Sequence, residues 1–169
     1  MSHPREADIL ELIRVLVDAG VEFVVVGGAA AVIHGAPLTT LDLDIVHRRT
    51  PENVQRLLSV LDEIDAYHRY DPTHRRLRPT TDMLLGSGQI NLATSLGPLD
   101  PLCELSPGQG YEELLSDTVM VTDGGMTIRV LGLEKLIEVK AAAGRDKDRL
   151  ALPVLIATLE ALQSDENGE

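Results

Sequence analysis

The arrangement that most constrains this chain is a valine-rich strand, a glycine pair and an acidic strand, in that order. Val21 to Val26 is dominated by β-branched residues, which predicts a buried strand. Gly27-Gly28 follows, and Gly28 to His34 reads as a short, alanine-rich helix closed by Gly35-Ala36-Pro37. Leu41 to Val46 then alternates apolar and acidic residues, the pattern of a half-buried strand. Asp42 and Asp44, at i and i+2, share one face of it. Carboxylates placed side by side repel unless a cation compensates them, and hard divalent ions such as Mg²⁺ take oxygen ligands. Glycines where a strand turns into a helix leave backbone N–H groups open to an anion. Together these features predict chemistry on a nucleoside triphosphate. Taken singly, the aspartates also fit the wet face of an ordinary strand, and the glycines an ordinary turn.

The rest of the chain supplies a frame around this unit. Ala7 to Ala19 has apolar residues near helical spacing and a stop at Gly20, and a second helix starts at Thr50-Pro51-Glu52. Tyr67 to Thr81 is irregular and rich in His and Arg. Gln89 to Thr94 and Leu99 to Leu102 read as short strands, and Met120 to Thr122 with Met126 to Val130 as a hairpin across Asp123-Gly124-Gly125. Leu133 to Ala143 is predicted helical, Gly144 interrupts it, and Arg149 to Leu162 continues helically despite Pro153. No repeat or linker divides the chain. The expectation is therefore one α+β domain over residues 1–163, with a mixed β-sheet and helices packed mainly on one side, and a disordered acidic tail over 164–169.

Composition narrows the partners. One Phe, three Tyr and no Trp leave an aliphatic core and argue against binding of nucleic acid through aromatic platforms. A formal charge of −12 opposes nonspecific contact with phosphate backbones, so an RNA partner would need a local basic patch or metal ions. The Arg69–Arg78 cluster is the candidate surface for nucleotide or RNA phosphate, with Arg75, Arg76 and Arg78 as the acceptor-facing loop, although such a cluster also fits a solvated loop. Cys103 is the single cysteine, which leaves no internal disulfide and no cysteine zinc site. The amphipathic start and the lack of a membrane-length apolar run point to a cytoplasmic protein with no membrane partner.

Gly27-Gly28, 13 intervening residues (29–41) and then Asp42-Leu43-Asp44-Ile45 resembles the signature of the DNA polymerase beta superfamily of nucleotidyltransferases. Asn91-Leu92-Ala93-Thr94, Gly97-Pro98-Leu99-Asp100 and the stretch from Lys140 to Asp148 are similar to later blocks of its small bacterial members. These are the minimal, AbiEii-like and DUF6036-like proteins, some of which are toxins. The resemblance implies an NTP as donor, two Mg²⁺ ions and transfer of a nucleoside monophosphate to a hydroxyl. The implied acceptor is a tRNA 3′ end, a protein hydroxyl or a small molecule, and an antitoxin or other protein partner is implied as well. It implies that Asp42, Asp44 and Asp100 are the metal-binding catalytic carboxylates. Glu104, Asp82 and Asp117 compete with Asp100 for the third place. Gly27 and Gly28 would hold the triphosphate, with Lys140 and Arg145 as cationic contacts to it. Two departures stand out. Leu38 occupies a place where many relatives carry Arg, and Pro101 after Asp100 predicts a strand that is short or at an edge. The alternative reading is a catalytically inactive nucleotide- or partner-binding module of the same fold.

Overall fold

The computed structural model describes residues 2–168. Its first half holds α1 (Ile9–Asp18), β1 (Phe23–Val26), α2 (Gly27–Ile33), β2 (Leu43–His47), α3 (Pro51–Glu63), β3 (Tyr67–His68) and α4 (Thr81–Leu84). The second half adds β4 (Leu92–Ala93), β5 (Leu99–Leu102), α5 (Tyr111–Leu114), β6 (Thr118–Asp123), β7 (Met126–Leu131), α6 (Leu133–Ala143) and α7 (Asp146–Asn167). The strands form one mixed sheet in the order β3-β4-β5-β2-β1-β7-β6. This is the mixed-sheet α+β architecture that the sequence predicts.

The start signals act as read. Asp8 caps α1 by accepting from the Glu11 N–H, and Thr50 caps α3 by accepting from the Asn53 N–H with Pro51 in the first turn. Asn53 itself is buried and fully bonded. Its Nδ2 donates to the carbonyls of Glu22 and Arg48, and its Oδ1 accepts from the Glu22 N–H, tying α3 to the chain beside β1 and β2. The hairpin closes through Gly124 and Gly125, both at positive φ, with Asp123 opposite Met126.

The core is aliphatic. Leu12 and Leu16 of α1, Leu57 and Leu61 of α3, and Val24, Val25, Leu43, Ile45 and Leu99 of the sheet are all buried. β1 is buried along its whole length, while β2 is buried everywhere except at Asp44. That single break marks where the sheet has a reason other than packing to present a side chain.

Several elements differ from expectation. β5 is short but interior: it pairs with β2 on one side and β4 on the other. Pro101 is tolerated because its carbonyl still accepts from the Ile90 N–H, and only the return bond is lost. Of the strand predicted over Gln89 to Thr94, β4 keeps two residues and Gln89 makes an isolated bridge to Leu102. The Tyr67–Thr81 segment contributes β3 to the sheet edge. α7 runs unbroken from Asp146 to Asn167, so residues 164–167 of the expected disordered tail are helical. No helix among the described residues is long and apolar enough to cross a membrane.

Candidate active site

Register builds the site. β1 and β2 are antiparallel with Val26 opposite Asp44, and β2 and β5 are parallel with Asp44 opposite Asp100. Residues opposed on neighbouring strands share a face, so Asp44 and Asp100 stand side by side. Asp42 precedes β2 on the same face, its carbonyl accepting from Thr40 Oγ1 at 3.0 Å. One carboxylate oxygen from each of Asp42, Asp44 and Asp100 lies within 4.8 Å of the other two. The competitors Glu104, Asp82 and Asp117 belong to no such cluster among the described residues.

The electrostatics of the three acids are uneven. Burial above all, then the carboxylates of Asp42 and Asp100, pushes Asp44 up to about 7, with Lys140 pulling weakly the other way. Its Oδ1 is buried and has no hydrogen-bond partner. Asp100 is also raised by burial, but Arg69 opposes the shift. The Arg69 guanidinium donates from Nη1 to Asp100 Oδ1 at 2.9 Å and from Nη2 to Oδ2 at 3.2 Å. Its Nη2 also lies 3.9 Å from Asp42 Oδ2.

The glycine pair closes one side. Gly27 has φ +63 and abuts Asp44, so a Cβ there would collide with Asp44 Oδ2. A Cβ on Gly28 would press on Thr40 Oγ1 at 3.0 Å. Gly27, Gly28, Thr40, Asp42, Lys140 and Lys147 help to line a cavity of about 480 Å³, and Leu38 lies in the same wall. A larger cavity of about 610 Å³ lies between the Tyr70–Leu77 segment and Gln89–Asn91, and touches none of the three aspartates. The smaller cavity is therefore the one continuous with the acidic cluster.

Of the residues singled out from sequence, Asp42, Asp44, Asp100, Gly27, Gly28 and Lys140 converge here. Arg145 does not line the cavity. Its Nε donates to Asp148 Oδ2 at 2.7 Å, while Lys140 Nζ donates to Asp148 Oδ1 at 3.1 Å. Burial opposes it, but these two cations hold the Asp148 carboxyl below its ordinary value. In the arginine segment, Arg75 pairs with Asp71, Arg78 with Asp65, and Arg76 lies over the Tyr67 ring. Arg69 and Lys147 are the residues that sequence reasoning did not place at the site. For Lys147 the helical neighbourhood of Lys140 was a usable signal; for Arg69 the basic Arg69–Arg78 cluster was one, but nothing in a stretch without periodicity pointed to Asp100.

An acidic triad with one orphaned, buried oxygen is a donor set suited to a hard divalent cation, since only oxygen ligands converge and the cluster's charge is not internally cancelled. Arg69 offsets part of that charge at Asp100 and leaves the Asp44 side open.

No family model matches the chain, and neither does any curated protein. Its fold, however, is that of nucleotidyltransferases. It is similar to the lincosamide antibiotic adenylyltransferase LnuA in its lincomycin-bound structure, with a TM-score of 0.62 at 12% identity over 92% of this chain and 99% of that one. A protein of Thermotoga maritima assigned as a nucleotidyltransferase superposes with a TM-score of 0.56 at 18% identity, covering 99% and 98%. The antibiotic-resistance factor ANT(2″)-Ia gives 0.55 at 13% identity, covering 95% and 89%.

Proposed function

We propose that this protein is a nucleotidyltransferase that moves a nucleoside monophosphate from an NTP to a hydroxyl acceptor and releases pyrophosphate. The observation that carries the reading is the convergence of Asp42, Asp44 and Asp100 beside the Gly27 turn, with Asp44 Oδ1 unpartnered. The three carboxylates would hold two Mg²⁺ ions, whose charge would polarise the α-phosphate and stabilise the departing pyrophosphate. Gly27 and Gly28 leave room for the triphosphate to approach the backbone, and Lys140 and Lys147 line the same cavity. Arg145 lies outside the cavity and is paired to Asp148, which it shares with Lys140. Asp100 stands on the side away from the glycines and would take part in deprotonating the acceptor hydroxyl.

The acceptor is the open part of this reading. A tRNA 3′ end or a protein hydroxyl approaching past Arg75, Arg76 and Arg78 is the first candidate, a small molecule the second. Incubation with labelled NTPs, Mg²⁺ and cell extract should label one species, and its identity assigns the acceptor. Asp42→Asn/Asp44→Asn should abolish the label; equal labelling by that variant contradicts the mechanism. The alternative, a nucleotide-binding module without turnover, is favoured by Leu38, which lines the cavity at the place where many relatives carry Arg. It predicts NTP binding with no pyrophosphate released in any extract.

A further inference from the structure

Arg69 belongs to the site by register as well as by contact. Leu92 lies opposite His68 on one side and Leu99 on the other, and Gln89 bridges Leu102. That spacing puts Asn91 between Arg69 and Asp100, and the Arg69 N–H donates to the Asn91 carbonyl at 2.9 Å. Arg69 and Asn91, each one residue beyond the register of β3 and β4, thus continue the row that Asp100 and Asp44 make on β5 and β2. The row runs outward from the triad on the side opposite the Gly27–Lys140 cavity.

The guanidinium is held from several directions. It forks onto both oxygens of Asp100, donates from Nη1 to the Leu92 carbonyl at 2.8 Å, and sits 4.9 Å from the centre of the Tyr70 ring. The side chain is 19% exposed. A flexible surface ion pair would show none of this anchoring. Among the described residues, no other cation forms an ion pair with Asp100.

We propose that Arg69 is a positioning residue of the transfer site and its built-in counter-charge: it locks the Asp100 carboxylate in place, and it sets how tightly the triad binds a divalent cation. This rests on the nucleotidyl-transfer reading above. The two roles have consequences of opposite sign. A positive charge 3.9 Å from Asp42 opposes an incoming cation, so removing it tightens cation binding. The fork on Asp100 is geometric, so removing it lets the third carboxylate swing and slows transfer. Mere local damage to the fold weakens both.

The test is Mn²⁺ binding to the full chain, read by electron paramagnetic resonance with and without a nonhydrolysable NTP, beside labelling in extract. Arg69→Ala should bind Mn²⁺ about tenfold tighter in the absence of nucleotide. Its transfer rate should fall by roughly 10- to 100-fold. Arg69→Lys keeps the charge without the fork, so its Mn²⁺ affinity should stay near that of the unmodified chain while transfer still falls. Unchanged or weaker Mn²⁺ binding by Arg69→Ala overturns the proposal, and so does full activity in Arg69→Lys. Asp42→Asn/Asp44→Asn separates the two levels of argument. If the unmodified chain binds no more Mn²⁺ than this variant, the transfer reading itself fails. If it binds more, and Arg69→Ala binds no tighter, only the role of Arg69 falls.

Discussion

Two occluded aspartates in this molecule have opposite surroundings. Asp148 lies close beneath the surface on α7, and its two oxygens are shared between Lys140 and Arg145. Asp44 lies on β2 among two other carboxylates, with one oxygen bonded to nothing. The first carboxyl is held below its ordinary value and the second is raised to about 7. An acid that the chain has itself neutralised is a joint: here it fastens α7 to the end of α6. An acid that the chain has crowded and left open is a site, because its stabilisation must come from something that binds.

This contrast can be broken by mutation. The largest effect is on transfer, where Asp42→Asn/Asp44→Asn should lose at least about a thousandfold, while Asp148→Asn should keep measurable activity. Stability should move the other way. Without divalent ions at pH 8, Asp44→Asn should gain about 2 kcal/mol in urea denaturation, the relief of ionising a buried carboxylate less the cost of an imperfectly bonded amide. The sign follows from the raised value. The folded chain holds this proton more tightly than the unfolded chain, so wild-type stability is greatest below the ordinary carboxylate range. It is lost as pH rises to about 7, and the gain from Asp44→Asn should shrink as pH falls from 7 towards 4.

Asp148→Asn should lose about 2 kcal/mol at neutral pH, less than a deep pair because Arg145 is well exposed. That contribution runs in the opposite pH sense, present above the ordinary carboxylate range and lost as pH falls below it. Gly27→Ala should cost about 1 kcal/mol for the positive φ alone, with the displacement of Asp44 added to it. Its Cβ meets Asp44 Oδ2, so transfer should suffer out of proportion to melting.

How much of this was legible beforehand depends on locality. The β1–α2–β2 unit is written in a short stretch, with valines for burial, glycines for the turn and alternation for the strand that carries Asp42 and Asp44. The hairpin at Gly124–Gly125 is equally local. Asp100 emerged only through resemblance, since the pairing of β5 with β2 brings together residues more than fifty positions apart. Arg69 was noticed only as part of the Arg69–Arg78 cluster, a candidate phosphate surface, and its partnership with Asp100 was beyond reach. The arginine follows a two-residue strand in a stretch without periodicity, and its place beside Asp100 is decided by β4 lying between them. Lys140 and Arg145 were read as phosphate contacts, whereas Asp148 was read as the acid of a helix-surface ion pair or a contact to Arg145, and the Arg145 pair is the one it makes. Gly144, in the left-handed conformation, turns α6 into α7 and lets one aspartate take both cations.

The most direct test is calorimetric binding of a nonhydrolysable NTP to the full chain, with Mg²⁺ and with chelator. The unmodified protein should bind with Mg²⁺ and lose most of that affinity in chelator. Asp148→Asn should retain the Mg²⁺ dependence, and Asp42→Asn/Asp44→Asn should abolish it. Nucleotide binding that is the same with and without Mg²⁺, or that survives unchanged in Asp42→Asn/Asp44→Asn, would contradict the claim that these aspartates form an unfinished cation site.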